Sequence, residues 1–222
     1  MSYQIYKLKF TTPVHFGADT AGIGLEKASL SCHADTFFSA LCHEIVNLYG
    51  EEGLKKWIEY FKDEKILLSD LFPYLNEELY LPKPVLICKK QEESDDEEKK
   101  NLKKKFKKLT HISVEKWNDY LEYLQRIGEF TPEMLEFGGE AVYSKVAMPR
   151  ISTKENDESE KNQLYSIGVY VFKENAGLYF IVKMEENLKD DFYKVIESLS
   201  FSGIGGKRTT GYGKFELFED PI

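Results

Sequence analysis

Cysteine is scarce in this 222-residue chain, which carries only Cys32, Cys42 and Cys88. The odd count and the lack of a Cys-x-x-Cys pair exclude a disulfide framework and indicate reduced thiols in a cytoplasmic protein. Two of the cysteines precede a histidine, but the ten-residue gap between these pairs matches no usual zinc spacing, so no metal is expected. No apolar run reaches about 18 residues and no secretory signal opens the chain, so a membrane span is not expected either.

Basic residues are fewer than acidic ones: the chain has 30 Lys and Arg and 38 Asp and Glu, which gives a net charge of −8. A protein that coats nucleic acid is usually basic, so the composition disfavours that class. The charge is uneven: six carboxylates crowd residues 92–98, and seven lysines follow in 99–108. Such blocks are typical of solvated, mobile segments, although a lysine-rich arm beside an RNA would add sequence-independent attraction.

The densest motif is a glycine-rich stretch near the C-terminus, which we call the glycine loop and define as residues 203–214. Five of its residues are glycine, and Lys207 and Arg208 stand at its centre. Backbone amides, a guanidinium, an ammonium and two hydroxyls together favour phosphate binding. A P-loop is excluded, because Arg208 follows the Gly-Lys pair and the next element reads as a strand. A flexible hairpin or a helix cap remains the plain alternative.

The order of elements predicts an α+β fold. A period-two pattern over residues 3–11 predicts a strand with Tyr3, Ile5, Leu8 or their neighbours on one sheet face. A helix capped by Ser31 or Asp35 follows. Its apolar stripe, which ends before Gly50, consists of Phe37, Leu41, Ile45 and Leu48.

The rest of the chain completes the pattern. A second helix is predicted over residues 52–62, an insertion over about 84–147, and a hairpin of two strands over 164–172 and 178–184. A helix over 189–199 and a last strand over 213–218 follow. The order βαββαβ predicts a ferredoxin-like, RRM-like domain with a helical, charged insertion.

Four stretches together resemble a known family. The run Gly-Ile-Gly-Gly-Lys-Arg-Thr-Thr-Gly-Tyr-Gly-Lys-Phe at 203–215 is similar to the glycine-rich loop of the RAMP superfamily of CRISPR RNA-binding proteins. Val-His-Phe-Gly at 14–17, Ala-Asp-Thr-Phe-Phe-Ser-Ala-Leu-Cys at 34–42 and Leu-Pro-Lys-Pro at 81–84 resemble, within it, the family of fourth Csm subunits of type III-A effector complexes. The resemblance implies a thumb-like insertion that reaches RNA and a second ferredoxin-like half, so this sequence, which ends at Ile222, is expected to hold a single RAMP domain over 1–222.

The resemblance also implies a function. The chain is expected to hold the 5′ tag of the CRISPR RNA (crRNA), beside the large polymerase-like subunit and the repeating backbone RAMP subunit, without a cofactor. For Asp35, simple helix capping is an equal alternative to RNA contact. The expected RNA-binding residues are Gly203, Gly205, Gly206, Lys207, Arg208, Thr209, Thr210, Gly211, Tyr212, Gly213, Lys214, His15, Phe16, Asp35, Thr36 and Arg150.

Two other function classes are weighed. An endoribonuclease would use His15 or His33 as general base and Lys207 to stabilise transition-state charge. The four histidines look scattered in the sequence and supply no evident acid/base pair, and a lone His15 reads more simply as a structural residue. A protein-only scaffold would leave the basic glycine loop unexplained. The sequence therefore predicts a non-enzymatic RNA-binding subunit.

Overall fold

The fold is that of a computed structural model, which describes residues 1–17, 25–84, 97–147 and 163–220. Within these ranges the chain forms α-helices and β-strands. In order they are β1 (Ser2–Phe10), α1 (Ala34–Lys62), β2 (Ile66–Leu68), β3 (Phe72–Leu75), β4 (Glu78–Pro82), α2 (Glu97–Lys108), β5 (His111–Ser113), α3 (Trp117–Leu124), β6 (Gly138–Ala147), β7 (Gln163–Phe172), β8 (Ala176–Met184), α4 (Lys189–Ser202) and β9 (Phe215–Asp220).

The main sheet is antiparallel and has the order β5-β4-β3-β8-β1-β9, with β2 also paired to β8. β2 and β3 form one interrupted strand, because both run along β8 in successive registers. When β2 and β3 are counted as one strand, the central part of the sheet has the order β9, β1, β8, β2/β3. These are the fourth, first, third and second strands of the pattern, and α1 and α4 are its two crossovers. This is the split βαβ arrangement, and the predicted α+β, ferredoxin-like class is confirmed.

The predicted hairpin over residues 164–184 is wrong in its pairing. Both strands exist, but β7 pairs with β6 in a separate two-stranded sheet, while β8 lies between β3 and β1 in the main sheet. The second ferredoxin strand comes instead from β2 and β3. Pro73 lies inside β3 and pairs with Leu178, although a proline in a sequence argues against a strand.

α1 and α4 pack on one face of the main sheet and enclose its core. Tyr6 and Leu8 of β1 are fully buried, and the Tyr6 ring stacks on Phe180 of β8 with a centroid distance of 5.4 Å. Tyr3, which was expected on a sheet face, is 59% exposed. The strand alternates as predicted, but the side chains that face α1 and α4 are those of the even-numbered positions Gln4, Tyr6 and Leu8.

α1 is interrupted at Gly50, where φ is 70° and ψ is −173°. The sequence predicted a stop there, and the second half carries Trp57, whose ring stacks on Phe192 of α4. The predicted apolar stripe is confirmed for Phe37, Leu41 and Ile45, which are buried. Leu48 is 45% exposed, because the approaching break moves the last turn off the sheet.

The insertion is partly packed. The Phe106 ring of α2 stacks on Tyr123 with a centroid distance of 4.7 Å, and Leu109, Ile112 and Tyr120 are buried around it. Lys104, Lys105, Lys107 and Lys108 are exposed, as a solvated segment requires, but Phe106 among them is an apolar anchor that the charge pattern did not predict. Mobility of this segment stays a prediction. The acidic residues 92–96 lie outside the described residues. Within the described ranges, no helix is both long and apolar enough to cross a membrane.

Candidate functional site

A cleft of about 450 Å³ lies where three distant parts of the chain meet. One wall comes from the connection between β1 and α1, a second from the first turns of α1, and the third from the glycine loop. The lining residues are His15, Phe16, Gly17, Ser31, Cys32, His33, Asp35, Thr36, Ser39, Ala40, His43, Gly205, Gly206 and Arg208. The fold thus brings together three of the segments that were singled out in the sequence.

Backbone hydrogen bonds fasten the glycine loop to the segment that follows β1. The Gly206 amide donates to the His15 carbonyl at 2.8 Å, and the Gly213 amide donates to the Pro13 carbonyl at 2.9 Å. The Thr11 amide donates in turn to the Lys214 carbonyl. The loop is therefore a fixed wall of the cleft.

Most of the glycine amides are already occupied. Besides those of Gly206 and Gly213, the Gly203 amide donates to the Leu199 carbonyl and the Gly211 amide to the Arg208 carbonyl. In this conformation each of these four amides donates within the loop or to its neighbours. Phosphate contact by the loop amides therefore stays a prediction, and the side chains are the donors best placed for it.

Four of the five loop glycines are required for close packing, and Gly211 is the exception. A Cβ atom on Gly213, whose φ is 76°, would collide with the Ile204 carbonyl. At Gly206 a Cβ atom would lie 2.6 Å from Cδ2 of His15, although its φ is not positive. The left-handed residue at the loop centre is Lys207, with φ 61°.

The cations of the loop point to different places. Arg208 lines the cleft, whereas the Lys207 ammonium lies 5.3 Å from the ring centroid of Tyr165 on β7. Thr209, Thr210 and Lys214 are exposed, and the Thr210 hydroxyl donates to the Lys207 carbonyl. Arg208 is therefore the cation best placed for a ligand in the cleft.

His15 is 7% exposed and tightly held. Its Nδ1 lies 2.6 Å from the Gly168 carbonyl oxygen, which only accepts, so Nδ1 carries a proton. In the neutral ring Nε2 is then an acceptor. A buried imidazole with one nitrogen fixed by the backbone has a defined tautomer.

Two expected aromatic contacts are buried. Phe16 is 4% exposed, and Tyr212 is 6% exposed. Tyr212 packs against the hairpin of β6 and β7, where the Lys145 ammonium lies 4.3 Å from its ring centroid. Phe16 lines the cleft, whereas Tyr212 does not, and base stacking by either of them stays a prediction.

Two carboxylates accept hydrogen bonds at the start of α1. The Asp35 side chain accepts from the Thr36 amide and hydroxyl, and Asp70 accepts from the Ala34 amide. Nδ1 of His33 lies 3.5 Å from Asp70.

The N-cap residue of α1 is His33, which makes no side-chain cap bond, so the predicted cap by Ser31 or Asp35 is wrong. Asp35 lies in the first turn instead, and contact of Asp35 and Thr36 with RNA stays a prediction. Arg150 lies outside the described residues.

The cleft also contains residues whose grouping the sequence did not reveal. His33 and His43 join His15 in its lining, so three of the four histidines lie together. The helical spacing of Thr36, Ser39 and His43 was the available signal, because residues three to four apart share a helix face.

Cys32 also lines the cleft. Burial raises the pKa of the Cys32 thiol to about 12, so this thiol stays protonated at neutral pH.

A metal centre is not formed by the described part of the chain. Within it, no group of three His, Cys, Asp or Glu side chains is arranged to hold an ion. The chemistry available in the cleft is that of Arg208, the imidazoles and the hydroxyls of Thr36 and Ser39. These groups suit a phosphorylated, hydroxyl-bearing ligand.

A family model described as the RAMP superfamily matches residues 7–216. The chain belongs to the RAMP superfamily. Among curated proteins it is similar to the CRISPR system Cms protein Csm4 of Streptococcus thermophilus, with 30% identity over 220 residues, 98% of this chain and 64% of that protein. It is also similar to Csm4 of Mycobacterium tuberculosis (strain CDC 1551), with 27% identity over 219 residues, 99% of this chain and 65% of that protein. This RAMP chain thus spans slightly less than two thirds of their length.

Solved structures support the fold. A Csm1–Csm4 cassette in complex with cA4 contains a chain that is 19% identical, with a TM-score of 0.61, covering 100% of this chain and 71% of that one. A Csm3–Csm4 subcomplex of the type III-A CRISPR-Cas interference complex gives 18% identity and a TM-score of 0.59, covering 100% and 70%. The curated relatives confirm the resemblance of this RAMP chain to proteins named Csm4, and the solved structures agree with it in fold.

Proposed function

We propose that this chain is a crRNA-binding subunit of a type III-A Csm interference complex, and that its cleft holds the 5′ tag. The observation that carries the proposal is the convergence of His15, the start of α1 and Arg208 at one cleft. The curated relatives named Csm4 support the assembly. The cleft combines the Arg208 guanidinium with imidazoles and hydroxyls, groups that can bind the phosphates and 2′-hydroxyls of single-stranded RNA.

Each cleft group has a distinct part in this proposal. The Arg208 guanidinium binds a phosphate in fork geometry. Nε2 of His15 accepts a hydrogen bond from a ribose 2′-hydroxyl, which is the group that separates RNA from DNA. Gly206 leaves room for the His15 ring, so the loop and the imidazole form one continuous binding wall.

The proposed partners are two protein subunits. The solved relatives are found with Csm1 and with Csm3, which correspond to the large polymerase-like subunit and the repeating backbone subunit. The chain would anchor the large subunit at the crRNA 5′ end. It would do so as a binding protein, without a catalytic residue, cofactor or metal.

Co-expression with the other complex subunits tests this function. RNA that co-purifies with the wild type is expected to share one 5′ end that lies inside the repeat, as end-mapping would show. Arg208→Gln is expected to lower the RNA content of the complex several-fold, whereas Lys194→Gln, at an exposed position of α4, serves as the matched control. Equal RNA content in all three, or random 5′ ends, would contradict the proposal.

A second candidate is a metal-independent endoribonuclease, and the three histidines in the cleft are the observation that favours it. Catalysis needs one imidazole as base and another as acid near the same phosphate. Incubating the purified protein with repeat RNA, with and without magnesium, is expected to leave the RNA intact. Cleavage that is lost in both His15→Ala and His33→Ala would replace the binding proposal with this one.

A further inference from the structure

The second cation of the glycine loop, Lys207, is held outside the cleft by an aromatic ring. Its ammonium lies 5.3 Å from the ring centroid of Tyr165 on β7, and both residues are partly buried. An ammonium over the face of an aromatic ring is attracted by the quadrupole of the ring. The position of the Lys207 ammonium therefore depends on a residue about forty positions away in the chain.

The Tyr165 ring is itself fixed by its surroundings. It packs against the buried cluster of Ile167, Val169 and Tyr212. Lys145 of β6 pairs with Tyr165, so both lie on one face of the two-stranded sheet. The Lys145 ammonium lies 4.3 Å from the ring centroid of Tyr212 in the loop. The sheet and the loop thus each supply one lysine to a tyrosine of the other.

The backbone of Lys207 indicates that its side chain has a use. Its φ of 61° and ψ of 24° are left-handed, a conformation that glycine adopts at lower cost. Four of the five loop glycines have positive φ, yet this further position carries a lysine. The amide and the hydroxyl of Thr210 donate to the Lys207 carbonyl and stabilise the turn. Such strained positions are concentrated at binding sites.

An ammonium held over a ring is partly ordered before it binds an anion. A lysine side chain loses rotamer freedom on binding, and part of that cost is removed when a ring already restricts it. The ring takes up one side of the ammonium, so N–H donors remain for a phosphate oxygen. Arg208, the next residue, lines the cleft. A strand that leaves the cleft across the loop would therefore meet Lys207 as its second cation.

We propose that Tyr165 is a positioning residue, which holds the Lys207 ammonium in place for a phosphate of the RNA strand whose tag the cleft binds. Tyr165 acts through Lys207 and does not itself contact the RNA. The inference rests on the proposed function and adds the residue that orders the second cation of the loop.

The test uses the full chain and two replacements of one ring. Tyr165→Phe keeps the aromatic face, whereas Tyr165→Leu keeps an apolar side chain without it. Each is also made in a Lys207→Gln background. Tyr3→Leu is the matched control, because the Lys183 ammonium lies 5.2 Å from the Tyr3 ring centroid, at the other end of β1. Labelled single-stranded RNA that begins with the tag is titrated over a range of salt concentrations.

Tyr165→Leu is expected to bind the RNA about threefold to fivefold more weakly than the wild type. Its slope of log affinity against log salt is expected to fall towards that of Lys207→Gln. Tyr165→Phe and Tyr3→Leu are expected to bind like the wild type. In the Lys207→Gln background, Tyr165→Leu is expected to cause no further loss, because the ring acts only through the ammonium.

A second measurement needs no RNA. The ring current of an aromatic residue shifts the NMR signals of protons that lie over its face. The ε-methylene proton signals of Lys207, assigned by their absence in Lys207→Gln, are expected upfield of their ordinary position in the wild type and in Tyr165→Phe. Unshifted signals in the wild type would overturn the inference even if Tyr165→Leu failed to fold.

Three binding results would also overturn it. They are wild-type or tighter binding by Tyr165→Leu, an equal loss from Tyr165→Leu in the Lys207→Gln background, and wild-type binding by Lys207→Gln. In each case, weaker binding by Arg208→Gln would leave the proposed function intact. A wild-type chain that bound no tag RNA would contradict the proposed function, and this inference with it.

Discussion

The glycine loop and α2 both concentrate cations, yet the fold holds them in opposite ways. In the loop, the amides of Gly206 and Gly213 are bonded to the segment after β1, and glycine is required because neighbouring atoms leave no room. In α2, Phe106 is an aromatic anchor and the lysines around it face solvent. The conformation of the loop therefore depends on single glycines. The surface of α2 is defined instead by the combined charge of its lysines.

The largest effect that would test this contrast is expected in the loop. Gly213→Ala should destabilise the protein by about 3–5 kcal/mol, because positive φ and a collision with the Ile204 carbonyl act together. Gly211→Ala is the matched control: its φ is 91°, but no atom lies within 4 Å of a Cβ there. It should cost only about 1 kcal/mol. Chemical denaturation measures both, and equal losses would show that backbone conformation alone matters.

A smaller effect is expected in α2. Phe106→Ala should cost about 2 kcal/mol, since the ring is only partly buried against Tyr123. Phe201→Ala is the control, because that ring is 74% exposed and its loss should change stability by less than about 0.5 kcal/mol. A Phe106→Ala protein as stable as the wild type would show that the ring does not anchor α2.

The sequence showed the parts of the site but not how they meet. Local patterns identified β1, the break at Gly50 and the glycine loop, because each depends on neighbouring residues. The pairing of β7 with β6 could not be found this way, since strands 164–172 and 178–184 are equally good hairpin partners by pattern. The same limit hid His33 and His43, which enter the cleft only when α1 packs beside the loop.

The insertion is also expected to make the stability of the protein depend on pH, through His111. Burial lowers the pKa of His111, next to α2, to about 4 from its ordinary value of 6.5. As the pH falls, the unfolded chain therefore binds a proton at His111 before the folded chain does. The contribution of neutral His111 to folding stability is complete above pH 6.5 and is lost as the pH falls towards 4. The loss should reach about 1–2 kcal/mol, allowing for partial solvent access. Denaturation of wild type and His111→Gln over this range should differ in slope, and identical slopes would contradict the burial effect.

The smallest effect concerns the first turn of α1. Asp35→Ala should cost about 0.5–1 kcal/mol, because the carboxylate accepts from the Thr36 amide and favours the helix N-terminus. Thermal denaturation measures this loss, and RNA titration separates the two alternatives for Asp35. Weaker RNA binding by the variant would make Asp35 an RNA contact, whereas slightly tighter binding, as a negative charge leaves the cleft, would limit its role to the helix.

The central claim is that the cations of the glycine loop bind RNA phosphates. Its most direct test is the salt dependence of binding to single-stranded tag RNA by wild type and by Lys207→Gln/Arg208→Gln, with the fold verified by circular dichroism. The slope of log affinity against log salt should fall by roughly 0.7 for each contact removed. An unchanged slope and unchanged affinity in a folded double variant would make the loop a structural element only.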